Sequence, residues 1–399
     1  MEQIIARPRM EDQVLNCLSE SPVTVLLGAR QTGKTTLARI IAKKYPDVHY
    51  FDLERAASRE ALSTPELTLG ACRGLVVIDE VQRMPSLFEV LRPITDQPGN
   101  PAKFLLLGSA SPHLVRGVSE TLAGRVLFVS VPGFSLAEVG PLHQNHLWLR
   151  GGFPRAFLAR TDSAARRWLE GFVTTFLERD IPLLGLRIPP ESLRRFWRMT
   201  AHYHGQVWNT AELARSMSVN PNTTRHYLDI LSGSYILRVL PPWHENLKKR
   251  QVKSPKVYLR DSGLLHFLLG INEMTDLRAH PRYGASWEGF ALEQTLSVFG
   301  ERDAYFWNTL RGAELDLLLL RNGRRLGFEF KCTDAPTMTR SMHIALEDLQ
   351  LDKLYVIYPG KDRYPMHARV EAYPLMEMNG MGMDFMLKYL NGENMGQYA

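Results

Sequence analysis

Apolar residues in this chain fall into two patterns that alternate along its first third. "VTVLLG" (Val23–Gly28), "LVVIDE" (Leu75–Glu80) and "KFLLLGS" (Lys103–Ser109) are nearly unbroken aliphatic runs of strand length, the pattern of strands covered on both faces. "RMEDQVLNCLSE" and "KTTLARIIAKKY" instead space their apolar residues at helical intervals. Strands alternating with helices predict a parallel sheet with crossover connections. From about Leu142 to Leu186 the pattern is helical throughout, and breaks follow at Pro189-Pro190, at Pro241–Trp243 and just before Gly284. We therefore expect an α/β, multidomain chain of four modules: 1–141, a parallel-sheet core; 142–188, a helical lid; 189–262, two helices with a tight turn and a strand; and 263–399, a second α/β domain with a tail.

Between the first strand and its helix lies "GARQTGKT", Gly28 to Thr35. It matches G-x-x-x-x-G-K-[ST] in the strand–turn–helix setting that a phosphate-binding loop requires. Gly28 and Gly33 let the backbone wrap so that the N–H groups of Gln31, Thr32, Gly33, Lys34, Thr35 and Thr36 face an anion at the helix N-terminus. Lys34 is placed to reach the β- and γ-phosphates, and the Thr35 hydroxyl to hold Mg²⁺. "LVVIDE" ends in Asp79 and Glu80 at the C-terminal edge of its strand, where ligands of open α/β sheets sit. Asp79 is the expected partner of Mg²⁺ through water, and Glu80 the residue that orients the attacking water. Ser109, at the end of a further strand, is a candidate sensor of the γ-phosphate. ATP with Mg²⁺ is the expected ligand.

Composition narrows the class without choosing a partner. The chain has 399 residues, a net charge of +6, 45% hydrophobic and 23% charged residues, values ordinary for a globular protein of several domains. A moderately basic balance permits nucleic acid and equally suits solubility alone. Three cysteines, Cys17, Cys72 and Cys332, form no close pair, so a disulfide framework is not indicated and a cytoplasmic location is expected. The polar start "MEQIIARPRMEDQ" does not suit a signal peptide, and no aliphatic run approaches membrane-span length.

"RPRMEDQVLNCL", "VTVLLGARQTGKTTL", "LVVIDEVQRMPSLFEVLRPITD", "FLLLGSASPHL", "ETLAGRVLFVSVPGFSLAEV" and "LRGGFPRAFLAR" together resemble a widespread prokaryotic family of AAA-type ATPases with a C-terminal domain of unknown function. The resemblance runs through nearly the whole chain. It implies an ATPase, a homo-oligomer with a hexameric ring among the forms allowed, and a role for Arg125 of "LAGRV" as a phosphate sensor or as a finger presented to a neighbouring subunit. Where the family has Thr before the Gly-Ser of the sensor strand, this chain has Leu107.

In "NTAELARSMSVNPNTTRHYL", Asn209 with Glu212 forms a helix cap, and Asn220-Pro221 opens a second helix with Pro at its first position. Two short helices, a tight turn and a following strand suggest a winged helix-turn-helix. In a DNA-binding version Asn222, Thr223, Arg225 and His226 would meet bases or phosphates. Downstream, "HENLKKRQVKSPKVYLR" gathers Lys248, Lys249, Arg250, Lys253, Lys256 and Arg260 into a strip suited to a phosphate backbone. Winged helices also serve as protein–protein spacers, and that alternative stays open.

"AELDLLLLRNGRRLGFEFK", Ala313 to Lys331, carries an Asn-Gly hairpin signal. Counting outward from Asn322-Gly323 sets Arg321 opposite Arg324, Leu320 opposite Arg325, Asp316 opposite Glu329 and Glu314 opposite Lys331. Those four outer residues would share a polar face, with Leu315, Leu317, Phe328 and Phe330 on the other. Two carboxylates with a lysine nearby suit Mg²⁺ and phosphodiester attack. The arrangement is similar to the D-x(n)-E-x-K core of the PD-(D/E)xK nuclease superfamily, which implies a restriction-endonuclease-like fold with Glu288 as the helical acid beside Asp316, Glu329 and Lys331. Two functions follow as expectations: an ATP-driven enzyme that binds, remodels and nicks DNA, or a nucleotide-gated regulator whose winged helix and nuclease-like fold hold protein partners.

Overall fold

The computed structural model describes residues 4–97, 99, 102–109, 112–183, 188–244 and 251–381. Its chain divides into two compact units: residues 1–134 with 153–155 and 228–236, and residues 135–152, 156–227 and 237–399.

The first unit is built on a five-stranded sheet of β1 (Val23–Gly28), β2 (Val48–Asp52), β3 (Leu75–Asp79), β4 (Lys103–Ser109) and β5 (Val126–Ser130) in the order β2-β3-β4-β1-β5. Every neighbouring pair is parallel. Burial on both faces explains the unbroken apolar runs: Val25, Leu27, Val76 and Ile78 enter one core cluster, while Leu26, Leu75 and Val77 enter the other. The second cluster is closed by Val14 and Leu18 of α1 (Pro8–Glu20) and by Leu37, Ala38 and Ile41 of α2 (Lys34–Ala42). The order puts β1 inside the sheet between β4 and β5, so the loop after β1 emerges at the centre of its C-terminal edge.

The second unit carries helices Gln144–Arg150 and Asp162–Thr175, then α3 (Thr210–Met217) and the first part, to Tyr227, of α4 (Pro221–Gly233). The Asn209 side chain accepts the Glu212 N–H at 3.2 Å, and Ser218 turns the chain with φ 57°. Strands β6 (Gln206–Val207), β7 (Leu237–Leu240) and β8 (Lys256–Leu259) form an antiparallel sheet in the order β6-β8-β7. Phe196 packs edge-on to both Trp208 and Tyr227 inside this region.

Two helices, α5 (Ser262–Leu269) and α6 (Tyr283–Phe299), lead to a mixed sheet. Its strands are β9 (Ala304–Asn308), β10 (Glu314–Arg321), β11 (Arg324–Phe330), β12 (Lys353–Tyr358), β13 (Tyr364–His367) and β14 (Val370–Pro374), in the order β13-β14-β12-β11-β10-β9. The hairpin register counted from the turn holds from Arg321 opposite Arg324 to Leu317 opposite Phe328, with Asn322 and Gly323 both at positive φ as a two-residue turn of this kind needs. Strict alternation does not hold beyond it. Pairing with β9 slips between Leu315 and Leu318, and these two residues, three apart, enter one cluster with Met342 and Leu346 of α7 (Arg340–Asp348). Phe328 lies elsewhere, against Phe299 and Tyr355. The single apolar face expected of the hairpin is thus two faces, each covered.

Candidate functional site

In the first unit the geometry is built around the end of β1. Gly28 is there because a Cβ would meet the Val131 carbonyl oxygen at 2.3 Å. Gln31 and Gly33 take positive φ, 63° and 94°, which turns successive N–H groups toward the space before α2. Lys34 is buried and donates from Nζ to the carbonyls of Gly28 at 3.0 Å and Ala29 at 2.8 Å. Burial lowers its pKa to about 8, against the pull of Glu80 and Asp79.

The Thr35 hydroxyl donates to Asp79 Oδ2 at 2.9 Å, and the Tyr50 hydroxyl donates to the same oxygen at 2.9 Å. Asp79 Oδ1 accepts the Glu80 N–H at 3.0 Å. Glu80 has φ 58°, unusual for a residue with a side chain. Its carboxylate accepts the Gln82 amide and lies 3.9 Å from the Arg30 guanidinium. A hydroxyl paired with a carboxylate, both hard oxygen donors, fits Mg²⁺, and the loop amides fit phosphate.

Besides Gln82 and Arg30 at Glu80, Tyr50 and Arg7 belong to this site and were not among the sequence candidates. Tyr50 sits on β2, whose "VHYFD" lacks an apolar run. Arg7, buried, donates to the Thr32 carbonyl at 3.2 Å and to the carbonyls of Pro132 and Gly133 at 3.1 and 3.2 Å. Only its early Arg-Pro position hinted at it.

The backbone of Ser109 pairs beside Gly28; its side chain lies outside the described residues. Arg125 is elsewhere. Its carbonyl accepts the Val23 N–H at 3.2 Å, so it stands at the start of β1, roughly 17 Å of extended strand away from the phosphate loop. A sensor acting within its own subunit is therefore corrected by position. Its guanidinium instead holds Asp96, Nε to Oδ1 at 2.5 Å and Nη2 to Oδ2 at 2.9 Å.

In the second unit, Asn222, Arg225 and His226 are exposed and Thr223 half-buried on the first turns of α4. Lys253 is exposed; Lys248, Lys249 and Arg250 lie outside the described residues. The end of the basic strip needs correction. Lys256 is only 4% exposed, and Arg260 pairs with Glu293 at 3.6 Å and with Glu301. Both cations are committed inside the protein, not offered to a phosphate backbone.

Lys256 Nζ lies 3.2 Å from Glu288 Oε1 and 3.3 Å from Asp316 Oδ1. The Tyr258 hydroxyl donates to the same Glu288 oxygen at 2.7 Å, and Asp316 Oδ2 accepts the Phe330 N–H at 3.1 Å. Glu329 pairs with Lys331 at 2.7 Å through Oε2, while its Oε1 is buried with no hydrogen-bond partner. Burial, reinforced by the charge of Asp316, pushes Glu329 up to about 8. Burial alone would lower Lys256, but Glu288, Tyr258 and Asp316 hold it well above its ordinary value. Glu293 faces Arg238 instead. The four residues singled out on the hairpin and α6 are thus close enough to feel one another, yet no three His, Cys, Asp or Glu side chains among the described residues are disposed to share a metal ion. No helix among them is long and apolar enough to cross a membrane.

Comparison with known proteins fits these units. The AAA domain family matches residues 20–140, and two domains of unknown function, DUF8612 and DUF4143, match residues 142–275 and 283–378. Among solved structures, the Walker-type ATPase PABY2304 of Pyrococcus abyssi aligns with a TM-score of 0.47 at 14% identity, covering 67% of this chain and 96% of that one. The uncharacterized proteins Rv2008c of Mycobacterium tuberculosis and Mb2031c of Mycobacterium bovis are each 48% identical over 371 residues, 93% of this chain and 84% of theirs. The chain belongs to one family with these mycobacterial proteins and carries an ATPase of the P-loop, AAA type.

Proposed function

We propose that this ATPase couples ATP hydrolysis to binding DNA, through a winged helix-turn-helix formed by α3, α4 and the β6-β8-β7 sheet. The observation that carries this is the disposition of α4. Its first turns present Asn222, Arg225 and His226 to solvent while Thr224 and Tyr227 are buried, the division a recognition helix needs.

At the ATP site, Mg²⁺ bound with the nucleotide supplies charge neutralisation across the phosphates, and Thr35 and Asp79 are the residues to hold it. Lys34 exchanges its two loop carbonyls for phosphate oxygens. Glu80, restrained by Gln82 and Arg30, orients water for attack on the γ-phosphate. Ser109 is retained as the candidate sensor. Arg125, at the far edge of the sheet, acts on a neighbouring subunit of a homo-oligomer.

The C-terminal mixed-sheet domain is a PD-(D/E)xK-like module that contributes to DNA binding. Glu288 on a helix with Asp316, Glu329 and Lys331 on adjacent strands supports that kinship.

Measuring ATPase rate with and without duplex and single-stranded DNA, across a salt series, tests the coupling. DNA should raise the rate, with affinity falling steeply as salt rises, and Arg225→Ala should weaken both effects. A rate indifferent to DNA would overturn the proposal in favour of a nucleotide-gated regulator of protein partners.

A further inference from the structure

The acid cluster of the second unit contains a cation of its own. In a metal-dependent phosphodiesterase, neighbouring carboxylates converge on a divalent ion that activates water. Here the inner oxygens of Glu288 and Asp316 converge on Lys256 Nζ, at 3.2 and 3.3 Å. Lys256 comes from β8, a different sheet from the hairpin, and is fixed there by its pairing with Val207 and Leu240. Its ammonium also lies 5.8 Å from the centre of the Phe306 ring, within range of a cation–π attraction. Both acids are held further: the Tyr258 hydroxyl donates to the same Glu288 oxygen that Lys256 meets, and the other Asp316 oxygen accepts the Phe330 N–H.

We propose that Lys256 is a built-in cation filling the position a divalent metal would take between Glu288 and Asp316, so that the cluster binds no metal and the domain does not cleave DNA. This deepens the reading of the C-terminal domain as nuclease-like, but it rests on the cluster's geometry and stands whether or not the protein binds DNA. Breaking a buried ion pair from one side leaves uncompensated charge. Removing the ammonium would leave Glu288 and Asp316 facing each other, a pair that a divalent cation is well suited to relieve.

The test uses full-length, nucleotide-free protein carrying Asp79→Asn, so that the ATP site loses the carboxylate placed to hold a metal ion. Bound Mn²⁺ is counted by electron paramagnetic resonance, and melting is followed with and without Mn²⁺. Protein with Lys256 intact should bind no Mn²⁺ at the cluster and melt at the same temperature in its presence. Lys256→Met, similar in volume, should melt lower without metal, gain one Mn²⁺ site, and recover a few degrees at saturation because only the folded state binds. Adding Asp316→Asn should abolish the gained site.

Mn²⁺ binding by the Lys256-intact protein that disappears on Asp316→Asn would overturn the proposal, as would a folded Lys256→Met that gains no Mn²⁺. Should Lys256→Met not fold alone, refolding in Mn²⁺ replaces the melt: recovery supports the proposal, and the Lys256-intact arm remains able to refute it. DNA affinity enters none of these readouts, so failure of DNA coupling and failure of this inference are distinguishable.

Discussion

Tyr50 and Thr35, from different elements, donate their hydroxyl hydrogens to one oxygen, Asp79 Oδ2, each at 2.9 Å. The tyrosine, on β2 beside β3, thus steadies the carboxylate together with Thr35 of α2. Losing a hydrogen bond to a charged group costs about 1.5–3 kcal/mol. Tyr50→Phe should therefore lower Mg²⁺-dependent ATP turnover by roughly tenfold while leaving metal-free nucleotide binding nearly unchanged. Turnover equal to wild type would make Tyr50 a packing residue only.

Lys34→Ala should abolish nucleotide binding, because the loop loses the one ammonium placed to meet phosphate charge. Glu80→Gln should keep binding and lose hydrolysis by two orders of magnitude or so, the usual scale for a group that orients a reacting water. Fluorescent-nucleotide titration and phosphate release separate the two. Normal phosphate release by Glu80→Gln would remove Glu80 from the mechanism.

Arg125 is too far from its own phosphate loop to act there, so its activity must be read in mixtures. On the proposed role in a neighbouring subunit, titrating Arg125→Ala into wild type should depress ATPase activity more steeply than the mutant fraction, because each defective subunit would leave a neighbour's site incomplete. A linear decline would mean that the Arg125–Asp96 pair serves the fold alone.

His266 and His204 are buried in the second unit, and burial holds their pKa values down to about 4 and about 3. His266 is also fixed between the Leu149 carbonyl at 2.9 Å and the Ser286 hydroxyl at 2.7 Å. An unfolded histidine takes up its proton near 6.5, so below that pH the unfolded chain binds more protons than the folded one and stability falls. The stabilisation is complete above pH 6.5 and is lost as pH drops toward 4, on the order of 3 kcal/mol from His266 alone. Denaturant melts between pH 7.5 and about 4.5 should show this slope, and His266→Gln should flatten it whatever its effect at pH 7.5. Equal slopes for both proteins would refute the assignment.

How much of this was legible depended on how local each signal is. The phosphate loop was readable because its glycines answer constraints within a few residues, and "LVVID" because a strand buried on both faces must be apolar throughout. β2 escaped because its five residues are only half-buried, and Tyr50 escaped with it. In the hairpin, the Asn-Gly turn fixed the register near itself, but the slip against β9 is invisible from β10 alone. Lys256 was misjudged for a related reason: in "KSPKVYLR" it stands among cations, and charge counting hides that Val257 and Leu259 alternate with Lys256 and Tyr258 as in a strand. Acid partners 32 and 60 residues downstream leave no trace in the local pattern.

Arg7 has a consequence for the order in which the protein becomes competent. Its guanidinium holds the phosphate loop at Thr32, yet it also holds two carbonyls that lie 125 and 126 residues further along. On the ribosome, "GARQTGKT" leaves the exit tunnel long before Pro132 and Gly133 do, and β1 must wait for both β4 and β5 to flank it. The nascent chain therefore carries a recognisable ATP motif for most of a domain's synthesis without a cradle able to hold ATP, and nucleotide capture can begin only once the whole sheet has emerged.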